Sequence, residues 1–539
     1  MDEHKPTTSQ TAHAHLLNLT GVLLILLVGA LYRRTLHPGV GPYLDSIEYQ
    51  LTTLTLGVSH PPGYPLFTWI GALFVHLIPF NNPAFRLNLL SLAASVITVL
   101  LTQRIVYRLT HSITIATLGA LVLAFAVRFW YQATYTELYP LYNTLIAGNM
   151  LALLAFAQTR KPRYYFLSIT LYALSFGVNV PAIVLLPMWL WAVLSTDHRM
   201  LTRPKNLFVT ALIVLIIAAQ YLWVPLRALG NPPPQFCNFC PRNWSEVPDF
   251  LTGKRWWGIS FGLPAKYWLQ RWADSGYQLM LQFWPIGVMA GGLGWWTLLK
   301  RQTKIAITYL LGLVGTWFFV MTYAVVDWDD FMTPVYVIFA PLIAVGIQTG
   351  WEWIKKQNTQ YAVRNTFARI FGIALVTTWL ILVARNNYPI VDQSHKTTWH
   401  GWARDLLPLF EDDAWLLTPP TPTDGFVQTW VLRYISWAEN LHPELTVVYL
   451  PGGEFDPPGP TPGYITWAEA APHLREHPTY LIELNDERVY RYALQPLHTG
   501  DGWALGYRIV GERTNGGVEP WTSPEEWALI QDAVLLLEP

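Results

Sequence analysis

Long apolar runs broken by short polar stretches fill the first three quarters of the chain. They recur at 16–32, 85–107, 113–129, 138–158, 164–180, 181–195, 206–226, 276–299, 305–325, 332–350 and 368–385. An α-helix needs about 20 mostly apolar residues to cross hydrocarbon, so the pattern predicts about eleven transmembrane helices. The runs are too long and too continuous for barrel strands, which alternate in and out. One further run, 66–79, is only about 14 residues long and is short for a span.

The basic residues decide how to treat that short run. If 66–79 does not cross, Arg104 and Arg108 fall on one side of the membrane. So do Arg160, Lys161 and Arg163; Arg199, Arg203 and Lys205; Lys300, Arg301 and Lys304; and Lys355, Lys356, Arg364 and Arg369. Basic loops stay cytoplasmic. The N-terminus, with its polar tail 1–15, is therefore expected inside and the C-terminus outside, with 66–79 lying in the outer interface. Arg33 and Arg34 are the exception, at the outer end of the first span. That span has no clear small-residue cleavage site and reads as retained. Four features then collect at the outer face: loop 37–84, segment 131–139, the long loop 227–275, and Asp327–Asp330.

After about residue 390 the pattern changes to short strands alternating with amphipathic helices. Strands are expected at Ala414–Thr418, Thr446–Leu450 and Thr479–Leu484, with a strand pair in Trp503–Glu512. Helices are expected near 425–438 and 466–475, and from Ser523, where a capping Ser, a Pro and two acids open the last one. Residues 391–539 therefore read as a soluble extracytoplasmic α/β domain, and 16–390 as the membrane domain.

Composition agrees. The chain is 52% hydrophobic and 13% charged, against about twice that charge in soluble proteins. Mean hydropathy is +0.26. Net charge is zero, which gives no electrostatic basis for binding nucleic acid. The 27 Trp and 27 Tyr suit a membrane interface belt, and also sugar-stacking surfaces.

Ionisable groups are scarce in such a chain, so those at one membrane face are candidates for chemistry. Asp45 and Glu48 are spaced i, i+3 and share a helical face. They read either as surface acids or as a general base and its neighbour. His60 follows in Ser59-His60-Pro61-Pro62-Gly63-Tyr64-Pro65-Leu66, where prolines and glycine make a rigid turn. It could contact a phosphate, or simply bond a carbonyl. Glu137 is either a second acid of the site or a partner for a helix dipole. Arg227 lies outside against the charge rule, as a phosphate ligand or as an arginine reaching lipid headgroups. Glu48, Tyr64 and Tyr139 are candidate substrate contacts.

Asp327, Asp329 and Asp330 could hold a divalent cation through oxygen, or could be a solvated helix end. No prosthetic group is called for, and metal dependence is open. Cys237-Asn238-Phe239-Cys240 cannot supply four zinc ligands; without a thioredoxin-like context it reads as a local disulfide rather than a redox pair.

At this point the chain resembles a known family. Asp45-Ser-Ile-Glu-Tyr, then Leu56-Gly57-Val58-Ser59-His60-Pro61-Pro62-Gly63-Tyr64-Pro65-Leu66, then Arg86-Leu-Asn88-Leu-Leu-Ser91 are similar to multi-span proteins with an HPPGYPL signature in the GT-C membrane glycosyltransferase superfamily. Some of these are protein O-mannosyltransferases. The order of features is also similar to that of the lipid A aminoarabinose transferases. The resemblance covers roughly residues 15–390. It implies a GT-C-like fold and a polyprenyl-phosphate sugar donor. Asp45 would stand at the position of the base and Glu137 at that of the second acid. His60 would stand where related enzymes place a Lys against the donor phosphate, and Arg227 would match a Pro-x-Arg element. Relatives often read Asn-His where this chain has Asn179-Val180, so Asn179 is assigned no catalytic role. The acceptor would be a protein Ser/Thr hydroxyl or a glycan, and the expected location a multi-pass place in the plasma membrane.

Two other classes compete. A transporter or flippase of lipid-linked sugars should show repeats and polar groups near the bilayer midplane, and neither is visible. A non-catalytic scaffold with an outer binding domain is the third reading.

Overall fold

The computed structural model describes residues 8–41, 43–232, 234–357, 362–418, 424–449, 464–484, 490–498 and 504–537. The protein is a multi-span helical membrane protein with a C-terminal domain built on a sheet. Eight described helices are long and apolar enough to cross a membrane, including Pro83–Thr110, Tyr139–Thr159, Thr303–Thr322 and Asp330–Lys355. The other three expected spans correspond to Ile113–Ala124, Pro162–Phe176 and the kinked Trp268–Arg301. The run expected to lie in the interface is the 13-residue helix Pro65–Leu77. Proline opens many of these helices at the first turn, where its missing N–H costs nothing.

Two expected spans are not continuous. The run 113–129 breaks between Ile113–Ala124 and Val127–Gln132. Carbonyls freed by the break need partners, since lipid offers none. The Tyr32 hydroxyl donates to the Ala124 carbonyl at 2.6 Å, and Asn387 Nδ2 to the Phe125 carbonyl at 2.8 Å. The run 276–299 lies within Trp268–Arg301, which leaves helical geometry at Trp284, just before Pro285. Proline removes a helical N–H and clashes with the preceding turn.

The central helix Thr333–Gln357 is enclosed: 83% of its apolar window is buried, against 11% for Pro204–Ala228 on the lipid side. It packs backbone to backbone on Trp268–Arg301. A Cβ on Gly346 would lie 1.8 Å from the Ala290 carbonyl oxygen, and one on Gly294 would lie 1.9 Å from that of Leu342. Small residues allow such close crossings in membranes.

The C-terminal strands are β1 (Trp415–Thr418), β2 (Thr446–Tyr449), β3 (Tyr464–Thr466), β4 (Thr479–Leu481), β5 (Tyr492–Leu497), β6 (Gly506–Thr514), β7 (Gly517–Pro520) and β8 (Leu535–Leu536). Their order is β3-β2-β1-β4-β6-β5-β8, with β7 off that path, paired with the 511–514 end of β6. The first four run parallel and the rest antiparallel. The strand pair expected in Trp503–Glu512 is instead the single strand β6 paired with β5; Trp503 itself, like Leu450, lies outside the described residues. The helix expected near 466–475 is shorter, Trp467–Ala470, opened by a capping box between Thr466 and Glu469. Ser523 caps the final helix by accepting from the Glu526 N–H.

This domain shares its core with the loops that follow the first span. Helix Asp424–Glu439 places Trp430, Val431 and Tyr434 against Ile47 and Leu51. The Ala84 N–H donates to the Tyr434 hydroxyl at 2.6 Å, and the Phe236 and Trp430 rings meet at 5.4 Å.

Candidate active site

The residues after the first span form the short helix Leu44–Thr55, which ends on the left-handed Leu56. Asp45 and Glu48 share one face of it, as their spacing requires. The His60-Pro61-Pro62-Gly63 turn follows, with the Gly63 N–H bonded to the His60 carbonyl at 2.8 Å. Gly63 has a φ of +94°, and a Cβ there would sit 2.8 Å from Val224. Only glycine fits easily. Tyr64 then opens helix Pro65–Leu77.

These elements wall a cavity of about 520 Å³. Asp45, Glu48, His60, Tyr64, Glu137, Tyr139, Asn179 and Asp327 line it, together with Asn238, Trp256 and Tyr323. Four regions expected to share a face therefore meet at one place. Ile183, Val184, Phe261 and Phe319 supply an apolar part of the wall.

The carboxylates differ in environment. Glu48 is buried and directed at His60: Oε2 lies 2.8 Å from Nδ1, and Oε1 accepts the His60 backbone N–H. Asn238 Nδ2 donates to the same Oε2 at 3.0 Å. His60 Nε2 meets the Tyr64 hydroxyl at 2.9 Å. Burial opposes charge on this imidazole, but Glu48, then Asp45 and Asp327, outweigh it and raise His60 to about 9. Asp45 is half-buried. Burial raises it to about 6; His60 lowers it, while Glu48 and Asp327 add to the rise. Burial, with Asp330 and Asp45 nearby, holds Glu137 well above the usual range, and burial also raises Asp327. Asp45 can thus take a proton near neutrality, and burial favours the protonated form of Glu137.

Glu137 is set by Ser91, whose Oγ accepts the Glu137 N–H at 3.1 Å. Asn88 braces the loops around it. It donates to the His37 and Gly39 carbonyls at 3.0 Å and accepts from Thr136 at 2.6 Å.

The other expected site residues fall in different places. Arg227 does not line the cavity; its Nε donates to the Leu56 carbonyl at 2.9 Å, tying down the end of the Asp45 helix. His60 is the cation of the lining. Glu48, expected to touch substrate, lines the cavity and also fixes His60. The acids of 327–330 also part company. Asp327 faces the cavity, while Asp329 and Asp330 pair with Arg128 at 3.2 and 2.7 Å. Asp45, Glu48 and His60 bring ligand atoms within 4.8 Å of one another, but Glu48 and His60 spend theirs on each other. Cys237 and Cys240 are joined as a disulfide. Sequence reasoning missed Asn238, Trp256 and Arg128, whose partners lie far away along the chain.

A family model described as the N-terminal domain of protein O-mannosyl-transferase TMEM260 matches residues 45–202. Protein O-mannosyl-transferase TMEM260 of Mus musculus is 37% identical over 126 residues, 23% of this chain and 18% of that protein. The Dictyostelium discoideum protein of the same name is 30% identical over 131 residues, 24% of this chain and 16% of that protein. The matched stretch thus spans under a fifth of each relative's length. Among solved structures, ArnT from Cupriavidus metallidurans bound to undecaprenyl phosphate superposes with a TM-score of 0.59 at 12% identity, covering 91% of this chain and 97% of that one. Its apo form gives 0.58 at 11% identity, covering 90% and 97%. The fold is therefore the one seen in ArnT.

Proposed function

We propose that this protein is a membrane glycosyltransferase that moves a sugar from a polyprenyl-phosphate donor to an acceptor hydroxyl. The observation that carries the reading is the make-up of the cavity. Ionisable Asp45, His60, Glu137 and Asp327 share it with apolar Ile183, Val184 and Phe319. A lipid phosphate sugar has the same division between head and tail.

Asp45 draws the proton from the acceptor hydroxyl as its oxygen bonds to the anomeric carbon. The bond from that carbon to the phosphate oxygen breaks, and the electron pair leaves with the polyprenyl phosphate. The His60 imidazolium, with Tyr64 beside it, offsets the charge on the leaving group. Glu137, holding its proton, donates a hydrogen bond to the sugar or the leaving phosphate. Single displacement would invert the anomeric centre, an inference by fold analogy.

The names of the relatives favour mannose as the sugar and protein Ser/Thr as the acceptor, and a glycan hydroxyl would suit the same site. The distribution of basic loops supports an extracytoplasmic cavity, with the N-terminus in the cytoplasm of a plasma-membrane protein. The test is a panel of radiolabelled polyprenyl-phosphate sugars offered to the purified protein with peptide and glycan acceptors. Release of lipid phosphate with one sugar supports the reading and names the donor. Saturable binding without release from any donor would move the assignment to lipid-linked sugar transport.

A further inference from the structure

The segment around the Cys237–Cys240 disulfide reaches the catalytic wall. Val58, two residues before His60, forms a parallel β-bridge with Cys237. The Val58 N–H donates to the Phe236 carbonyl at 3.1 Å, and the Asn238 N–H to the Val58 carbonyl at 2.9 Å. Gly57 makes this approach possible: a Cβ there would lie 2.2 Å from the Phe236 carbonyl oxygen. One end of the segment is anchored by Phe236, buried against Trp430 of the C-terminal domain. The other is closed by the disulfide, which spans only the two residues between. Asn238 is one of those two. Its amide donates to Glu48 Oε2, the oxygen that faces His60 Nδ1.

We infer that Asn238, clamped beside Val58 by the Cys237–Cys240 loop, is a positioning residue that holds the Glu48 carboxylate in line with His60. A buried carboxylate with two partners on one oxygen is held in its direction. Without the amide, the Glu48 carboxylate is free to turn away from Nδ1, and His60 loses part of the anion that keeps it cationic. The groups facing His60 are Asp45, Glu48 and Tyr49 on the preceding helix, Tyr64 on its own turn, Asp327 on the 323–330 loop and Trp256 edge-on at 5.9 Å. Asn238 is the member of this shell that the disulfide loop brings.

The role rests on the transfer reading, so the test has two independent readouts. In the full-length protein with labelled histidine, the His60 signal is assigned by its loss in His60→Gln and titrated by NMR. Asn238→Ala should move that titration down by about half a unit or more, with Cys237→Ala/Cys240→Ala moving it the same way. In transfer assays Asn238→Ala should lower kcat about tenfold at unchanged donor KM, with no further loss when added to Glu48→Gln. An unmoved His60 titration overturns the inference whether or not the wild type transfers sugar. A loss that adds in full to that of Glu48→Gln also overturns it, because the residue would then act by another route. Wild-type protein that turns over no donor but shows the His60 shift keeps the positioning role and rejects the transfer reading alone.

Discussion

Glu48 holds His60 twice, through Oε2 to the imidazole Nδ1 at 2.8 Å and through Oε1 to the backbone N–H. One buried acid fixes both the charge and the place of the cavity's cation. Glu48→Gln keeps the shape but removes the anion. It should lower transfer about a hundredfold and bring the His60 titration down, as followed by NMR.

The same pair makes stability depend on pH. His60 is raised from 6.5 to about 9, so its contribution is complete below pH 6.5 and is lost as pH rises through 9. Asp45, raised from 3.8 to about 6, has already lost its contribution above 6 and is silent in this window. Thermal unfolding in detergent should therefore show a fall in stability on the order of 3 kcal/mol between pH 6.5 and 9.5. Glu48→Gln should flatten that fall.

The rate should follow a bell. Asp45 must lose its proton, which sets the acid limb near 6; His60 must keep its own, which sets the alkaline limb near 9. A single plateau from pH 5 to 10 would remove both assignments.

Much of this site could be read in the sequence. The spans, the rigid turn at His60 and the shared face of Asp45 and Glu48 follow from local spacing, and the charge rule brought Glu137 and Asp327 to the same face. What local spacing cannot carry is pairing across the chain. Asn238 meets Glu48 190 residues away, and Gln132 meets Asp330 198 residues away. The bond from Arg227 Nε to the Leu56 carbonyl, 171 residues away, is not written in local spacing either. The break at Phe125 likewise depends on Tyr32 and Asn387 to satisfy its carbonyls, and no local pattern announces them.

Arg128 supports the cavity from behind through Asp329 and Asp330. Arg128→Met leaves two carboxylates without their partner in a largely buried place. It should cost about 3 kcal/mol in thermal unfolding, where Arg128→Lys costs less.

Gly346 packs against the Ala290 carbonyl, with no room for a Cβ. Gly346→Leu should force the two helices apart and cost roughly 3 kcal/mol or more, seen as loss of the monodisperse peak in size-exclusion chromatography.

The central claim is that Asp45 activates the acceptor. The most direct measurement is lipid-phosphate release from polyprenyl-phosphate mannose by the purified protein, wild type against Asp45→Asn, with donor binding followed in parallel. The account predicts release and labelled acceptor in the wild type, and a loss of about 10²- to 10⁴-fold in the variant with donor binding retained. Turnover undiminished in Asp45→Asn would contradict it.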